Sequence, residues 1–119
     1  MKRVPIRRRS AKAQTRTLDA LAREVVFARD GCCVRCGSTS HLQWAHIYSR
    51  RYRSMRWDTD NSVVFCAGCH LWWHHKPLEA SAWFEDKYPR RTARLRIISQ
   101  TKRKPDLEAI RLSLEQALR

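Results

Sequence analysis

Two C-x-x-C pairs constrain the fold of this 119-residue chain more than any other feature of its sequence. Cys33 and Cys36 form the first pair, and Cys66 and Cys69 form the second, with 29 residues between the pairs. A C-x-x-C turn brings two thiolates to one tetrahedral ion, and a second such turn completes a closed structural zinc site. Cys32 could replace Cys33, but a C-x-x-x-C turn is less usual, so Cys33 is the predicted ligand. Zinc would then supply stability that the core of a small domain lacks.

Hydropathy patterning indicates neither a membrane protein nor a secreted one. No stretch approaches the roughly 18 apolar residues that a bilayer-spanning helix needs, and no apolar segment follows the basic N-terminus as in a secretory signal. We therefore expect a cytoplasmic protein in a reducing compartment. Closely spaced cysteines bind metal there more often than they form disulfides.

Basic residues dominate the charge, since 25 Lys and Arg against 11 Asp and Glu give a formal net charge of +14. A soluble protein this basic most often binds a polyanion, and nucleic acid is the commonest one. Residues 1–16 carry no acid, and we expect them to form a basic flexible arm that contacts nucleic acid. A solvated tail without a role is the alternative. Residues 90–119 are predicted to form a basic linker and a C-terminal helix, and partly helical structure over the basic run 87–104 is the alternative to a linker.

Apolar spacing and end signals predict an α+β domain over residues 17–89. A first helix follows the N-cap Thr17 and ends at Gly31. Residues 41–47 and 62–65 are predicted strands, and residues 67–75 and 78–87 are predicted helices. The last helix carries a stripe of four apolar residues at helical spacing, which predicts core packing, with a dimer contact as the alternative; they are Leu107, Ile110, Leu114 and Leu118.

Histidines flank the second cysteine pair in a pattern that suits a second metal ion. His70 directly follows Cys69, and His74 lies four residues further on. On a helix both imidazoles share a face and can bind one ion, whereas packing against the core is the alternative. His46 lies between the cysteine pairs, ahead of an acid-free run of arginines at positions 50, 51, 53 and 56.

The order of these residues resembles that of the HNH endonucleases, in particular small phage-type enzymes with a four-cysteine zinc. His46, Asn61 and His70 follow one another at separations of 15 and 9 residues, within the frame of the two cysteine pairs. The resemblance covers about 50 of the 119 residues. It implies a small ββα-metal finger with a zinc knuckle, flanked by N- and C-terminal helices.

By this resemblance, His46 is the general base that takes a proton from water, and Asn61 braces the loop that aims it. His70 binds a catalytic divalent ion, which would be Mg²⁺, Mn²⁺, Ni²⁺ or Zn²⁺, and His74 is the second ligand. The chemistry is consistent with these residue types. A cation neutralises the phosphodiester, and a neutral imidazole generates the nucleophile.

Position 45 departs from the family pattern. The family usually has Asp or His there as a metal ligand, and Ala45 cannot bind metal. Three explanations stay open. Water or a DNA phosphate fills the position, as Mg²⁺ tolerates; another side chain reaches in, such as His75, Asp58 or Asp60; or the catalytic metal site is weak or absent.

The loop arginines complete the functional prediction. Arg50, Arg51, Arg53 and Arg56 would lie beside the scissile phosphate and contact the DNA backbone, which positions DNA without reading its sequence. The sequence therefore predicts a metal-dependent DNA endonuclease of low sequence specificity that nicks or cuts both strands. The resemblance further implies a phage- or prophage-encoded protein of DNA packaging or recombination, acting in the bacterial cytoplasm beside a terminase. A non-catalytic, zinc-stabilised DNA-binding module is the alternative.

Overall fold

The computed structural model describes residues 10–101 and 103–119 and has the predicted α+β class. In this described part of the chain, five helices surround one antiparallel pair of strands. In chain order the elements are α1 (Ala11–Asp30), β1 (Leu42–His46), a 3₁₀ turn (Thr59–Asn61), β2 (Ser62–Cys66), α2 (Ala67–His75), α3 (Pro77–Lys87), α4 (Pro89–Ser99) and α5 (Leu107–Ala117). Within these described ranges, no helix combines the length and apolar character that crossing a membrane requires.

The first helix begins at Ala11, earlier than the predicted start after Thr17. Ser10 is the N-cap, and its hydroxyl accepts the N–H of the third helical residue at 3.2 Å. The Thr17 hydroxyl instead donates to a carbonyl one turn earlier inside the helix, at 3.0 Å. The helix therefore includes part of the arm predicted over residues 1–16, whose residues 1–9 lie outside the described part of the chain.

The two strands form a hairpin that pairs Trp44 with Val64 and Ala45 with Val63. Because successive side chains of a strand point to opposite faces, Trp44 and Ala45 lie on different sides of the sheet. All four of these residues are buried. The sheet is therefore covered on both faces, and each face has its own core.

One core lies between the Ala45 face and helices α2, α3 and α4. Its buried members are Cys33, Ala45, Met55, Val63, Phe65, Cys69, Phe84 and Leu95. The other core lies between the Trp44 face and helices α1 and α5. Its buried members are Leu18, Ala22, Val26, Trp44, Trp57, Val64 and Leu114. Leu107 and Ile110 pack against this second core, which confirms core packing for three residues of the apolar stripe.

The linker predicted from residue 90 is a helix in the structure. Pro89 begins α4, because a proline at the first helical position has no N–H that would lack a partner. Leu95 on this helix is fully buried in the core of the Ala45 face. The predicted domain boundary after residue 89 thus falls within the first turn of α4, and helices α3 and α4 pack against the same core.

Candidate functional site

The four cysteines predicted as zinc ligands meet in the structure. Their sulfur atoms all lie within 4.8 Å of one another, and the sulfurs of Cys36 and Cys66 are 3.6 Å apart. Tetrahedral zinc with Zn–S bonds of about 2.3 Å places its sulfurs roughly 3.8 Å apart. The cluster therefore fits one such ion. Cys32 lies outside the cluster, as predicted.

Turns and caps at the ends of the hairpin bring the cysteines together. Gly37, at a φ of 81°, closes the first turn in a left-handed conformation that favours glycine. The N–H of Val34 donates to the carbonyl of Val64 at 3.0 Å and ties this turn to β2. Cys66 ends β2, and its sulfur caps α2 by accepting the N–H of Cys69 at 3.4 Å. The second pair is therefore fixed by the strand-to-helix junction.

Cys33 and Cys69 differ in how readily their thiols ionise. Burial, together with the neighbouring sulfurs of Cys66 and Cys33, raises the pKa of Cys69 to about 12. Burial also opposes ionisation of Cys33, but backbone hydrogen bonds from Cys36, Cys66 and Arg35 outweigh it and lower the Cys33 pKa to about 6. One thiolate forms readily, and further ionisation is costly unless a cation lies among the sulfurs.

Arg35 covers one side of the cysteine cluster, a contact that the sequence patterns did not reveal. Its Nη1 donates to the sulfur of Cys69 at 3.5 Å, and its guanidinium lies 3.6 Å from the centre of a Trp72 ring. A cation held in this way partly offsets the negative charge of ionised sulfurs. Its position inside the first C-x-x-C pair was the only sequence signal for it.

Asn61 is fully buried and holds the loop between the two strands. Its Oδ1 accepts the N–H of Tyr48 at 2.8 Å, and its Nδ2 donates to the carbonyls of Tyr48 and Met55, both at 3.1 Å. Its own carbonyl accepts the N–H of Ile47 at 2.9 Å. The chain leaving β1 is thereby fixed against the start of β2.

His46 ends β1 with a half-buried imidazole, whose centre lies 4.3 Å from a Trp44 ring. Its Nε2 lies 3.0 Å from the carbonyl oxygen of Arg56. Because a carbonyl only accepts, Nε2 carries the proton and Nδ1 has a free lone pair. Burial is the largest influence on His46 and lowers its pKa. The positive charges of Arg50 and Arg56 lower the pKa further, and together they outweigh the negative charge of Asp19, which raises it. The ring is therefore neutral at neutral pH.

His70 and His74 share a face of α2, as predicted, with ring centres 4.9 Å apart. We call them the histidine pair. Nδ1 of His70 lies 2.6 Å from Oε1 of Gln43 on β1. An amide oxygen only accepts, so Nδ1 carries the proton and Nε2 is unprotonated, as a metal ligand requires. Gln43 thus sets the tautomer of His70, a role that the sequence patterns did not predict.

Among the described residues, no third Cys, His, Asp or Glu joins the histidine pair in a group that could hold one ion. Within residues 10–101 and 103–119, the four cysteines are the only group of three or more Cys, His, Asp or Glu placed to hold one ion. Asp58 and Asp60, which one of the three explanations offered as borrowed ligands, bind Arg94 at 2.8 and 3.2 Å. His75 joins no such group, and Ala45 is fully buried in the core. The open positions around an ion there are left to water or phosphate.

His46 and His70 have different neighbours in the structure. His46 lies against Trp44, whereas His70 contacts Gln43, and these neighbours point to opposite faces of β1. No hydrogen bond or ring contact in the described part of the chain joins the two histidines. Arg50 is their common neighbour, since its charge lowers the pKa of each, in addition to burial.

The loop arginines divide into two groups. Arg50, Arg51 and Arg53 are exposed. Arg56 departs from the predicted DNA contact, because its Nε and Nη2 donate to the two carboxylate oxygens of Asp19, at 3.0 and 2.7 Å. Its guanidinium is engaged inside the protein, so three of the four arginines are left as an exposed basic surface.

Comparison with known proteins finds no relative of this chain. No family model matches it, and neither does any curated protein or any solved structure. Fold and site together define an α+β protein with a four-cysteine cluster that is able to hold a metal ion. The resemblance to HNH endonucleases stays a hypothesis based on motif order.

Proposed function

We propose that this protein is a metal-dependent DNA endonuclease of the HNH type with low sequence specificity. The observation that carries the proposal is the state of His46. Its Nε2 donates to a backbone carbonyl, so Nδ1 of a neutral imidazole is left to accept a proton. A positioned neutral imidazole is the group that general-base activation of water requires. Asn61 braces the loop that carries the carbonyl.

The histidine pair would hold the divalent ion of such a reaction, through Nε2 of His70 and a nitrogen of His74. A bound cation at this position supplies charge neutralisation for the phosphate. Imidazole nitrogens favour transition metals such as Mn²⁺, Ni²⁺ and Zn²⁺ over Mg²⁺. We propose zinc for the cysteine cluster, where the all-thiolate donor set and the closed geometry suit a structural role.

The exposed loop arginines, Arg50, Arg51 and Arg53, would bind the DNA backbone. Their charge, together with the net charge of +14, favours phosphate contacts that do not depend on base sequence. Arg50 is the best placed of the three, because its charge acts on both His46 and His70.

A non-catalytic, zinc-stabilised DNA-binding module is the second candidate function. The specific observation in its favour is that the histidine pair has no third side-chain ligand in the described ranges. An ion held by only two imidazoles exchanges readily, and a site without an ion cannot support the reaction.

Incubation of the protein with supercoiled plasmid separates the two candidates. We expect nicked plasmid with millimolar-scale Mn²⁺ or Ni²⁺, less with Mg²⁺ and none with EDTA. The nicks should carry 3′-hydroxyl and 5′-phosphate ends, which DNA ligase reseals. His70→Ala should abolish nicking, while His41→Asn, an exposed loop histidine, should leave it unchanged. Plasmid that is bound but not nicked with any of these metals would establish the binding module instead.

A further inference from the structure

Asp19 on α1 accepts hydrogen bonds from two consecutive residues of the loop between the strands. Nε and Nη2 of Arg56 donate to its carboxylate at 3.0 and 2.7 Å, and Nε1 of Trp57 donates at 2.8 Å. Burial opposes ionisation of Asp19, but hydrogen bonds from Arg56 and Trp57 outweigh it and keep the Asp19 pKa below its usual value. The carboxylate is therefore charged and fully engaged at neutral pH.

The residue that Asp19 holds is also the one that orients His46. The side chain of Arg56 binds Asp19, while its carbonyl accepts Nε2–H of His46 at 3.0 Å. The side chains of Arg56 and Asp19 are only 16% and 22% exposed, so neither can swing freely into solvent. A carbonyl can define a histidine tautomer only if its own peptide is held still.

The chain just after Arg56 is also fixed, through Asp58. Asp58, two residues beyond Arg56, receives both Nη atoms of Arg94 on α4, at 3.0 and 2.8 Å. Trp57 between them is 3% exposed and packs in the core of the Trp44 face. Residues 56–58 are thus fixed between two helices, by Asp19 on α1 and by Arg94 on α4.

We infer that Asp19 is a positioning residue, which acts through Arg56 to hold the His46 imidazole as its Nε2–H tautomer with Nδ1 available as the base. This inference rests on the proposed endonuclease function. Asp19 receives hydrogen bonds from Arg56 and Trp57 and none from His46, so its effect on His46 is indirect. Without the carboxylate, the Arg56 guanidinium loses both acceptors and is drawn toward water, taking the carbonyl with it.

The test compares Asp19→Asn with Glu24→Gln, a matched loss of one negative charge at an exposed position of the same helix. The first readout is the ¹⁵N spectrum of the His46 ring at pH 8, without added divalent metal. We expect a single Nε2–H tautomer in the wild type and in Glu24→Gln, and a mixture of both tautomers in folded Asp19→Asn. This spectrum does not depend on any activity of the protein.

The second readout is the rate of plasmid nicking. Asp19→Asn should lower kcat by about 10-fold, the order of effect of an outer hydrogen-bond partner, and leave KM within about twofold. A residue with only a structural role would lower the melting temperature and leave the tautomer and kcat of the folded protein unchanged. That result would overturn the inference.

A third variant keeps the test decisive if Asp19→Asn does not fold. Trp57→Phe removes one of the three donors to Asp19 and keeps an aromatic ring in the core. It should produce the same tautomer mixture to a smaller extent, and an unchanged spectrum would count against the inference. If the wild type nicks plasmid with none of the metals, the proposed endonuclease function is refuted. The ring spectra still test whether Asp19 holds the His46 tautomer, because they do not depend on nicking.

Discussion

Replacing Asn61 with alanine removes a side chain that is fully buried and makes three hydrogen bonds to the loop. Not all three partners are left unsatisfied. The carbonyl of Met55 also accepts the N–H of Asp58 at 3.1 Å and keeps that bond. The N–H and carbonyl of Tyr48 have no other hydrogen-bond partner among the described residues. Asn61→Ala therefore leaves two backbone groups without a hydrogen bond.

Each buried backbone group without a partner costs about 1–3 kcal/mol. Tyr48 is half-buried, so water reaches it in part and the sum lies toward the lower end, at about 2–4 kcal/mol. For a chain of this length, 1 kcal/mol shifts the melting temperature by about 4 °C. We therefore expect Asn61→Ala to melt roughly 8–16 °C below the wild type.

Thermal unfolding followed by circular dichroism measures this difference, and the neighbouring residue provides a matched control. Ser62 is also buried, at 1% exposed, but its hydroxyl has no hydrogen-bond partner among the described residues. Ser62→Ala should therefore leave the melting temperature within a few degrees of the wild type. Equal losses for both variants, or no loss for Asn61→Ala, would refute the assignment of Asn61 as the brace of the loop.

Cys69→Ser should lower both the zinc content and the melting temperature, because binding and folding are coupled in a four-cysteine site; Cys32→Ser should change neither, and elemental analysis with thermal unfolding checks both. Ala45→Asp should fail to fold, since position 45 is fully buried among apolar side chains; a folded variant that needs less metal for nicking would contradict this. DNA affinity should fall with salt at a log–log slope of about −3 or steeper, as expected for three or more phosphate contacts, measured by fluorescence anisotropy; a flat slope would argue against the basic loop.

Local signals were enough to predict the elements around the cysteines. The helix over residues 67–75 matches the prediction, because Cys66 caps its start and Pro77 follows its end. The predicted start of α1 after Thr17 was wrong. Ser10 and Thr17 are both good N-cap residues, so the sequence offers two possible starts for this helix. The structure uses Ser10 as the cap and places the Thr17 hydroxyl in a hydrogen bond inside the helix, and the local sequence does not distinguish these two uses.

The sequence left open whether the basic run over residues 87–104 forms a linker or a helix, because the apolar residues that decide between them are few. Leu95, together with the partly buried Ile98, packs α4 against a core, and arginines of α4 bind Asp58 and Asp60, more than 30 residues earlier in the chain. Neither contact is visible in the composition of the segment. Charge density favours an exposed linker only where no opposite charge is presented by another element.

The candidate site also contains some residues whose role the sequence predicts and others whose role it does not. Cysteine ligands follow from spacing within each turn, so they were predictable. The engagement of Arg56 was not, because its partner Asp19 lies 37 residues away. The contact of His70 with Gln43 spans 27 residues and depends on how α2 packs against β1. Contacts between distant segments therefore decide which of the predicted loop arginines stay exposed.

The single-turnover rate of plasmid nicking, measured for wild type and His46→Ala with Mn²⁺ and excess protein, tests the central claim most directly. Loss of the general base should lower the rate by about 100-fold or more, while the affinity for the same plasmid without metal stays within about twofold. Equal nicking rates for the two proteins would contradict the account, because His46 would then play no part in the reaction.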